Sequence, residues 1–267
     1  YTAIDIYGNF STEKFFVTIT DNEDPAFENM SADITVNSEL GLCSAVVNWV
    51  DPQAVDNCEI LSSSSSHLPG DTFLVGTTLV SYSTSDIHGN EFSTSFNVTV
   101  LDEENPMIMD MPASRQLQTD PGECGAVALW TDPSSTDNCQ VDTFVSTHES
   151  GDFFPVGDTT VTYTSTDIHG NQSSETFVIS VDDNENPQIS GLSADLTLNN
   201  DIGECAAVAT WADPSASDNC EIQSFTSTHN SGESFAVGMT VVSYTALDIH
   251  GNEITDTFTV TVVDAED

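Results

Sequence analysis

"GECGAVALWTDPSSTDNC", residues Gly122 to Cys139, decides how the rest of the chain is read. It stands 81 residues earlier as "GLCSAVVNWVDPQAVDNC", Gly41 to Cys58, and 81 later as "GECAAVATWADPSASDNC", Gly203 to Cys220. The same step relates Trp49, Trp130 and Trp211; His67, His148 and His229; and Tyr82, Tyr163 and Tyr244. It also relates "DIHGN" at Asp86, Asp167 and Asp248, and no insertion breaks the register. A fixed step of this kind marks a repeat architecture. The opening "YTAIDIYGNF" keeps register with "YSTSDIHGNE" at Tyr82. The expected division is therefore the end of one repeat in 1–20, full repeats in 21–101, 102–182 and 183–263, and a new linker in 264–267. On that expectation the chain is a window on a longer array, which would account for the missing leader sequence.

Each unit reads as all-β. In "FNVTV", Phe96, Val98 and Val100 alternate with Asn97 and Thr99, the period of a half-buried strand. "LVSYSTS" points Val80 and Tyr82 inward, and "CSAVVNW" points Cys43, Ala45, Val47 and Trp49 to one face. The serine run Ser62 to Ser66 stands where the next repeat has "DTFVST", so it reads as a polar strand. Turn clusters recur about every ten residues, and helical periodicity is absent. The expected fold is a tandem series of immunoglobulin-like β-sandwiches, seven strands each, arranged as an extended rod.

Composition narrows the partners. There are 44 Asp plus Glu against 2 Lys plus Arg, for a formal net charge of −42. Nothing in such a chain displaces counterions from phosphate, which argues against nucleic acid, and anionic membrane surfaces are disfavoured for the same reason. No apolar run is long enough to insert into a bilayer. Self-repulsion on this scale opposes compaction unless cations are recruited.

Each full repeat carries two cysteines 15 positions apart. The natural expectation is local bridging, Cys43–Cys58, Cys124–Cys139 and Cys205–Cys220, with each tryptophan packed near its bridge. Connectivity does not follow from sequence alone. Close CxxC pairs of the kind a metal centre uses are absent, and disulfides imply an extracellular compartment.

Gly122 to Cys139, followed by "FFPVGDTTVTYTSTDIHGN" (Phe153 to Asn171), resembles the hyalin repeat (HYR) family. The resemblance runs the whole length and implies extracellular immunoglobulin-like modules, found in tandem in adhesive proteins and abundantly in large bacterial surface proteins. A segment of a bacterial cell-surface adhesin is the source it implies. Many bacterial members add a second cysteine pair, but the corresponding places here include Ser31, Pro112 and Ser193, and Ser95, Thr176 and Thr257.

In an immunoglobulin-type topology the entry linker, the loop between the second and third strands and the last hairpin loop share one pole. The expected clusters are Asp21, Glu23, Asp51, Asp56, Asn57, Asp86 and Asn90 at the first joint. At the second they are Asp102, Glu104, Asp132, Asp137, Asn138, Asp167 and Asn171. At the third they are Asp183, Glu185, Asp213, Asp218, Asn219, Asp248 and Asn252. Two carboxylates about 4 Å apart repel by roughly 1–4 kcal/mol. Ca2+, which takes six to eight hard oxygens in flexible geometry, is the expected cofactor. The layout is similar to cadherin junctions, where acidic linkers and pole loops share calcium. Turn formation accounts for Asp, Asn, Gly and Pro in these loops without a metal. His88, His169 and His250 are expected to pack within their loop, because the equivalent position in the opening fragment is Tyr7.

The function expected is structural. It is a stalk or filament segment of an extracellular, cell-surface adhesin, stiffened by calcium at its joints and by one disulfide per repeat. Its partners are then the neighbouring repeats of the same chain. The alternative is a module that binds surface glycans or proteins. An enzyme is not expected, since every Ser, His and Asp grouping is a copied structural loop.

Overall fold

Residues 1–266 are described by a computed structural model. After a short hairpin of β1 (Thr2–Ile4) and β2 (Phe10–Thr12), the first repeat runs through eight strands. These are β3 (Ala26–Glu28), β4 (Ile34–Asn37), β5 (Ser44–Val46), β6 (Gln53–Val55), β7 (Ile60–Ser65), β8 (Thr72–Leu74), β9 (Gly76–Asp86) and β10 (Glu91–Leu101). The second and third repeats reproduce them in order, and among the described residues no helix occurs.

The long strands β9 and β10 form an antiparallel hairpin, with Phe96 opposite Val80 and Val98 opposite Thr78. The hairpin turns at "DIHGN", where Gly89 takes a φ of 92° that suits a residue without Cβ. A four-stranded sheet, β4-β10-β9-β7, is built on this hairpin, with β4 parallel to β10. Two short ribbons, β3-β6 and β5-β8, supply the second layer. Between the layers lie Ala45, Val47, Phe73, Val80, Tyr82, Phe96, Val98 and Val100, all buried. The residues expected to point inward do so apart from Cys43, which lies at the turn before β5, and the serine run is a strand. The short ribbons raise the strand number to eight where seven were expected. Ala126 to Val181 and Ala207 to Val262 line equivalent cores.

The tryptophans anchor these cores rather than the bridges. Trp49 packs edge-on against Phe73 and Phe96 and donates from Nε1 to the Tyr82 hydroxyl at 2.8 Å. The Tyr82 hydroxyl donates in turn to Asp51 Oδ1 at 3.0 Å. Trp130, Tyr163 and Asp132 repeat the relay at 2.8 and 2.9 Å.

Chain contacts separate two compact units, one of them Tyr1–Pro106 together with the loops Asp137–Val141 and Asp167–Asn171. Two loops of the second repeat thus belong with the first. The bridges show why: they are Cys43–Cys139, inside this unit, and Cys124–Cys220, inside the other. The expected local pairs Cys43–Cys58, Cys124–Cys139 and Cys205–Cys220 do not form, and Cys58 and Cys205 are free thiols. The reason is placement. Cys43 lies at the turn into β5, beside Gly41, whose N–H reaches the next linker at Glu104. Cys58 lies at the other end, beside the entry-linker residue Asp21. Fifteen residues of largely extended chain span about 50 Å, enough to carry the second cysteine to the opposite pole. Cys43 and Cys124 therefore meet the following repeat, at Cys139 and Cys220, instead of their sequence neighbours.

Candidate functional site: the acidic joints

The second joint shows the design. Asp102 arrives from the linker, with its side chain fully shielded from solvent. Its Oδ1 accepts from the Glu104 backbone N–H at 3.2 Å and from Asn138 Nδ2 at 3.1 Å. Its Oδ2 lies 3.0 Å from His169 Nδ1. Asn138 Nδ2 also donates to the Leu42 carbonyl at 3.2 Å, so one amide ties the loop to both the linker and the preceding repeat. Glu104 receives the Gly41 N–H at 2.8 Å. The third joint repeats the contacts. Asp183 meets Asn219 and His250 at 3.1 and 3.0 Å, Asn219 reaches the Glu123 carbonyl at 3.1 Å, and Glu185 accepts from Gly122 at 3.1 Å.

The hairpin aspartates are held by their own loops. Asp167 Oδ1 accepts from the backbone N–H groups of His169 and Asn171 at 2.8 and 2.9 Å, and Oδ2 accepts from Asn171 Nδ2 at 2.7 Å. Burial alone would raise its pKa, but these donors, led by the Asn171 amide, hold it below the usual aspartate value. Asp86 and Asp248 are lowered with the same balance of causes. Asp5 makes the same set of bonds to Tyr7 and Asn9 while exposed, so the loop needs no ion to form. Asn171 and Asn252 additionally donate to the linker carbonyls of Asp102 and Asp183, at 3.1 and 3.2 Å.

The expected clusters are thus largely assembled. Asp21, Asp56 and Asp86 bring carboxylate oxygens within 4.8 Å of one another, as do Asp102, Asp137 and Asp167. Asp218 is pushed upward, first by burial and then by the charges of Asp183 and Asp248. The sets differ from expectation at several members. Asp51 and Asp132 are turned to Tyr82 and Tyr163, and Glu23 accepts from Asn57 Nδ2 at 3.0 Å. Asp213 is exposed. The histidines, expected only to pack in their loop, instead face the linker aspartates. A His two residues after the hairpin Asp, opposite an acidic linker, was the available signal.

Whether these residues suit a hard cation is tested by their unpaired oxygens. Asp56, Asp137 and Asp218 each bury Oδ1 with no hydrogen-bond partner, and so do Asn138 and Asn219. Buried oxygens of this kind ordinarily find a donor, and all of them are ligand types that calcium takes. The donor set fits. At the first joint Asp21 Oδ2 is also unpaired, 3.4 Å from His88 Nδ1. There the Asp21 carboxylate beside it, with Asp56 and Asp86, raises the Cys58 thiol to about 11.

Comparison with known proteins places the chain. The HYR domain model matches residues 20–100, 101–181 and 182–262. Hyalin of Strongylocentrotus purpuratus is 34% identical over 276 residues, spanning 100% of this chain and 23% of that protein. Hyalin of Lytechinus variegatus is likewise 34% identical, over 52% of its length. The mouse Sushi, von Willebrand factor type A, EGF and pentraxin domain-containing protein 1 is 36% identical over 158 residues, 58% of this chain and 4% of that one. The chain therefore spans about half or less of the length of these relatives. They are animal proteins, so the expected bacterial origin has no support. Among solved structures, the protocadherin GammaB4 extracellular domain aligns over 93% of this chain and 51% of its own, with 17% identity and a TM-score of 0.33. Cadherin-23 EC22-24 aligns over 91% and 100%, with 14% identity and a TM-score of 0.32. With three consecutive matches covering most of its length, the chain belongs to the HYR domain family.

Proposed function

We propose that the chain is a load-bearing segment of an extracellular adhesive protein, with repeats 21–101, 102–182 and 183–263 locked to one another by disulfides and by calcium at the acidic joints. One observation carries the calcium reading: loop oxygens that are buried without donors recur in register, at Asp56, at Asp137 with Asn138, and at Asp218 with Asn219. Asp102, Asp137, Asn138 and Asp167 would hold the ion at the second joint, and Asp183, Asp218, Asn219 and Asp248 at the third. Asp21, Glu23, Asp56, Asn57, Asp86 and Asn90 form the corresponding set at the first. Bound calcium would supply the positive charge that the chain itself lacks. His169 and His250 each place a ring nitrogen 3.0 Å from the linker carboxylates of Asp102 and Asp183. The disulfides support an extracellular setting. The test is calorimetric titration of the metal-free protein with CaCl2, beside melting curves with and without EDTA. Saturable binding that raises the melting temperature is expected. Absence of heat up to millimolar calcium, together with identical melting curves, would sink the reading.

A further inference from the structure

The repeats differ at the turn between β3 and β4. Asn29 takes a φ of 62° there, as Asp110 does at 61° and Gly191 at 80° in the other repeats. The turn itself therefore asks only for a residue that tolerates a positive φ. In the first repeat it reads "NMS", Asn29 to Ser31, against "DMP" from Asp110 and "GLS" from Gly191. Asn-x-Ser is the acceptor triplet for N-linked sugar in secreted proteins.

Two more such triplets fall within the full repeats, at Asn97 and Asn171. The fold separates the three. Asn171 Nδ2 gives its hydrogens to the Asp102 carbonyl at 3.1 Å and to Asp167 Oδ2 at 2.7 Å, inside the second joint. A sugar on that nitrogen leaves it one hydrogen and puts a ring between loop and linker. Asn97 is half-buried in the middle of β10, with its Nδ2 3.4 Å from Asp33 Oδ2. Asn29 is exposed.

Asn29 also opens on a groove. With Ser31, Ile34, Asn48, Trp49 and Val50 it lines a space of about 480 Å³. In the second repeat Arg115 stands in place of Ile34 and reaches across to the carbonyl of Leu129, which replaces Asn48, at 2.6 Å. Trp130 is buried there, whereas Trp49 is only half-buried. The first repeat thus combines an indole and two aliphatic walls with polar edges at Ser31 and Asn48, the kind of lining that holds a small ring.

We propose that Asn29 carries an N-linked glycan whose first N-acetylglucosamine ring lies in this groove against Trp49, and that Asn171 stays bare so that its joint closes. The inference rests on the extracellular reading above, since the sugar donor is met on the secretory route. The chemistry is glycosyl transfer from a polyprenyl-diphosphate-linked oligosaccharide. Asn29 Nδ2 attacks the anomeric carbon, the bond from that carbon to the diphosphate oxygen breaks, the polyprenyl diphosphate leaves, and Nδ2 gives up one proton. Nothing is oxidised or reduced. A chain modified at Asn171 instead does not close its second joint.

The test places the full chain behind a secretory leader in cultured animal cells and reads occupancy by peptide N-glycosidase digestion in heavy-oxygen water with mass spectrometry. In the secreted pool that holds the Cys43–Cys139 bridge, occupancy at Asn29 should exceed that at Asn171 at least tenfold. Ser31→Thr should keep the glycan and Ser31→Ala lose it. Hydroxyl-radical footprinting then compares the glycosylated chain with the bare Ser31→Ala chain, and labelling of Trp49, referred to Trp130, should be at least twofold lower with the sugar present. Bridged chain with Asn29 bare, or with Asn29 and Asn171 equally occupied, would overturn the proposal, and equal labelling of Trp49 would overturn the seating. Retention of an unbridged chain would count against the extracellular reading, while Asn29 occupancy, read on the cell lysate, decides the proposal separately.

Discussion

Trypsin can read the cross-repeat bridge directly, because the chain has one lysine, Lys14, and one arginine, Arg115. Cleavage after Arg115 in urea divides the protein between Cys58 and Cys124. With Cys43 bonded to Cys139, the fragments 15–115 and 116–267 stay joined until a reductant is added. With local bridges they part at once. The thermodynamic counterpart is as distinct. In the loop-entropy account, a bridge across about 100 residues stabilises by roughly 4.7 kcal/mol, against roughly 3 kcal/mol for a 15-residue loop. Cys43→Ser with Cys139→Ser should lower urea stability by about the larger figure, spread over the two repeats that the bridge ties together. Fragments that separate on a non-reducing denaturing gel after cleavage at Arg115 would refute the connectivity and, with it, the account of the joints.

Tyr163→Phe should cost about 1–3 kcal/mol in urea unfolding, because it strips the acceptor from the buried Trp130 indole N–H and the donor from Asp132. Asp167→Ala removes the acceptor of three N–H groups and should cost about 3 kcal/mol at neutral pH, measured the same way. The pH dependence has a fixed sign. Asp86, Asp167 and Asp248 have lowered pKa values, so the stability they give is present above the unfolded value of 3.8 and is lost as pH falls through the folded value. Asp218, raised, works oppositely: its cost is felt at neutral pH and relieved on acidification. Asp167→Ala should flatten the acid limb of the melting temperature, and Asp218→Asn should raise the plateau in metal-free buffer.

Much of this was legible in the residues. The 81-residue step and the alternation in Phe96, Val98 and Val100 define the sandwich, because burial on one face of a strand leaves its period in the sequence. The convergence of Asp102, Asp137 and Asp167 followed from topology. Pairing of the cysteines did not, since it depends on which pole each one occupies, and nearness in sequence suggested the wrong partner. Asp51 and Asp132 were misassigned for a related reason. Their loop is near the joint in order, but the tyrosine hydroxyl across the sandwich is a stronger claim on the carboxylate. The role of His169 and His250 depended on a 3.0 Å approach across the joint that no local pattern encodes.

The overlap of the two bridges has a mechanical consequence. Pulled from its ends with every sandwich unravelled, a chain of 267 residues would reach roughly 900 Å. The shortest covalent route instead runs to Cys43, across to Cys139, back to Cys124, across to Cys220 and on to the end. That route caps the extension at roughly 370 Å. A single backbone cut anywhere between Cys43 and Cys220 also leaves both pieces attached, since one bridge or the other spans every peptide bond in that interval. The molecule is tethered against tearing in the way a doubled seam is, with each stitch fastened beyond the start of the next.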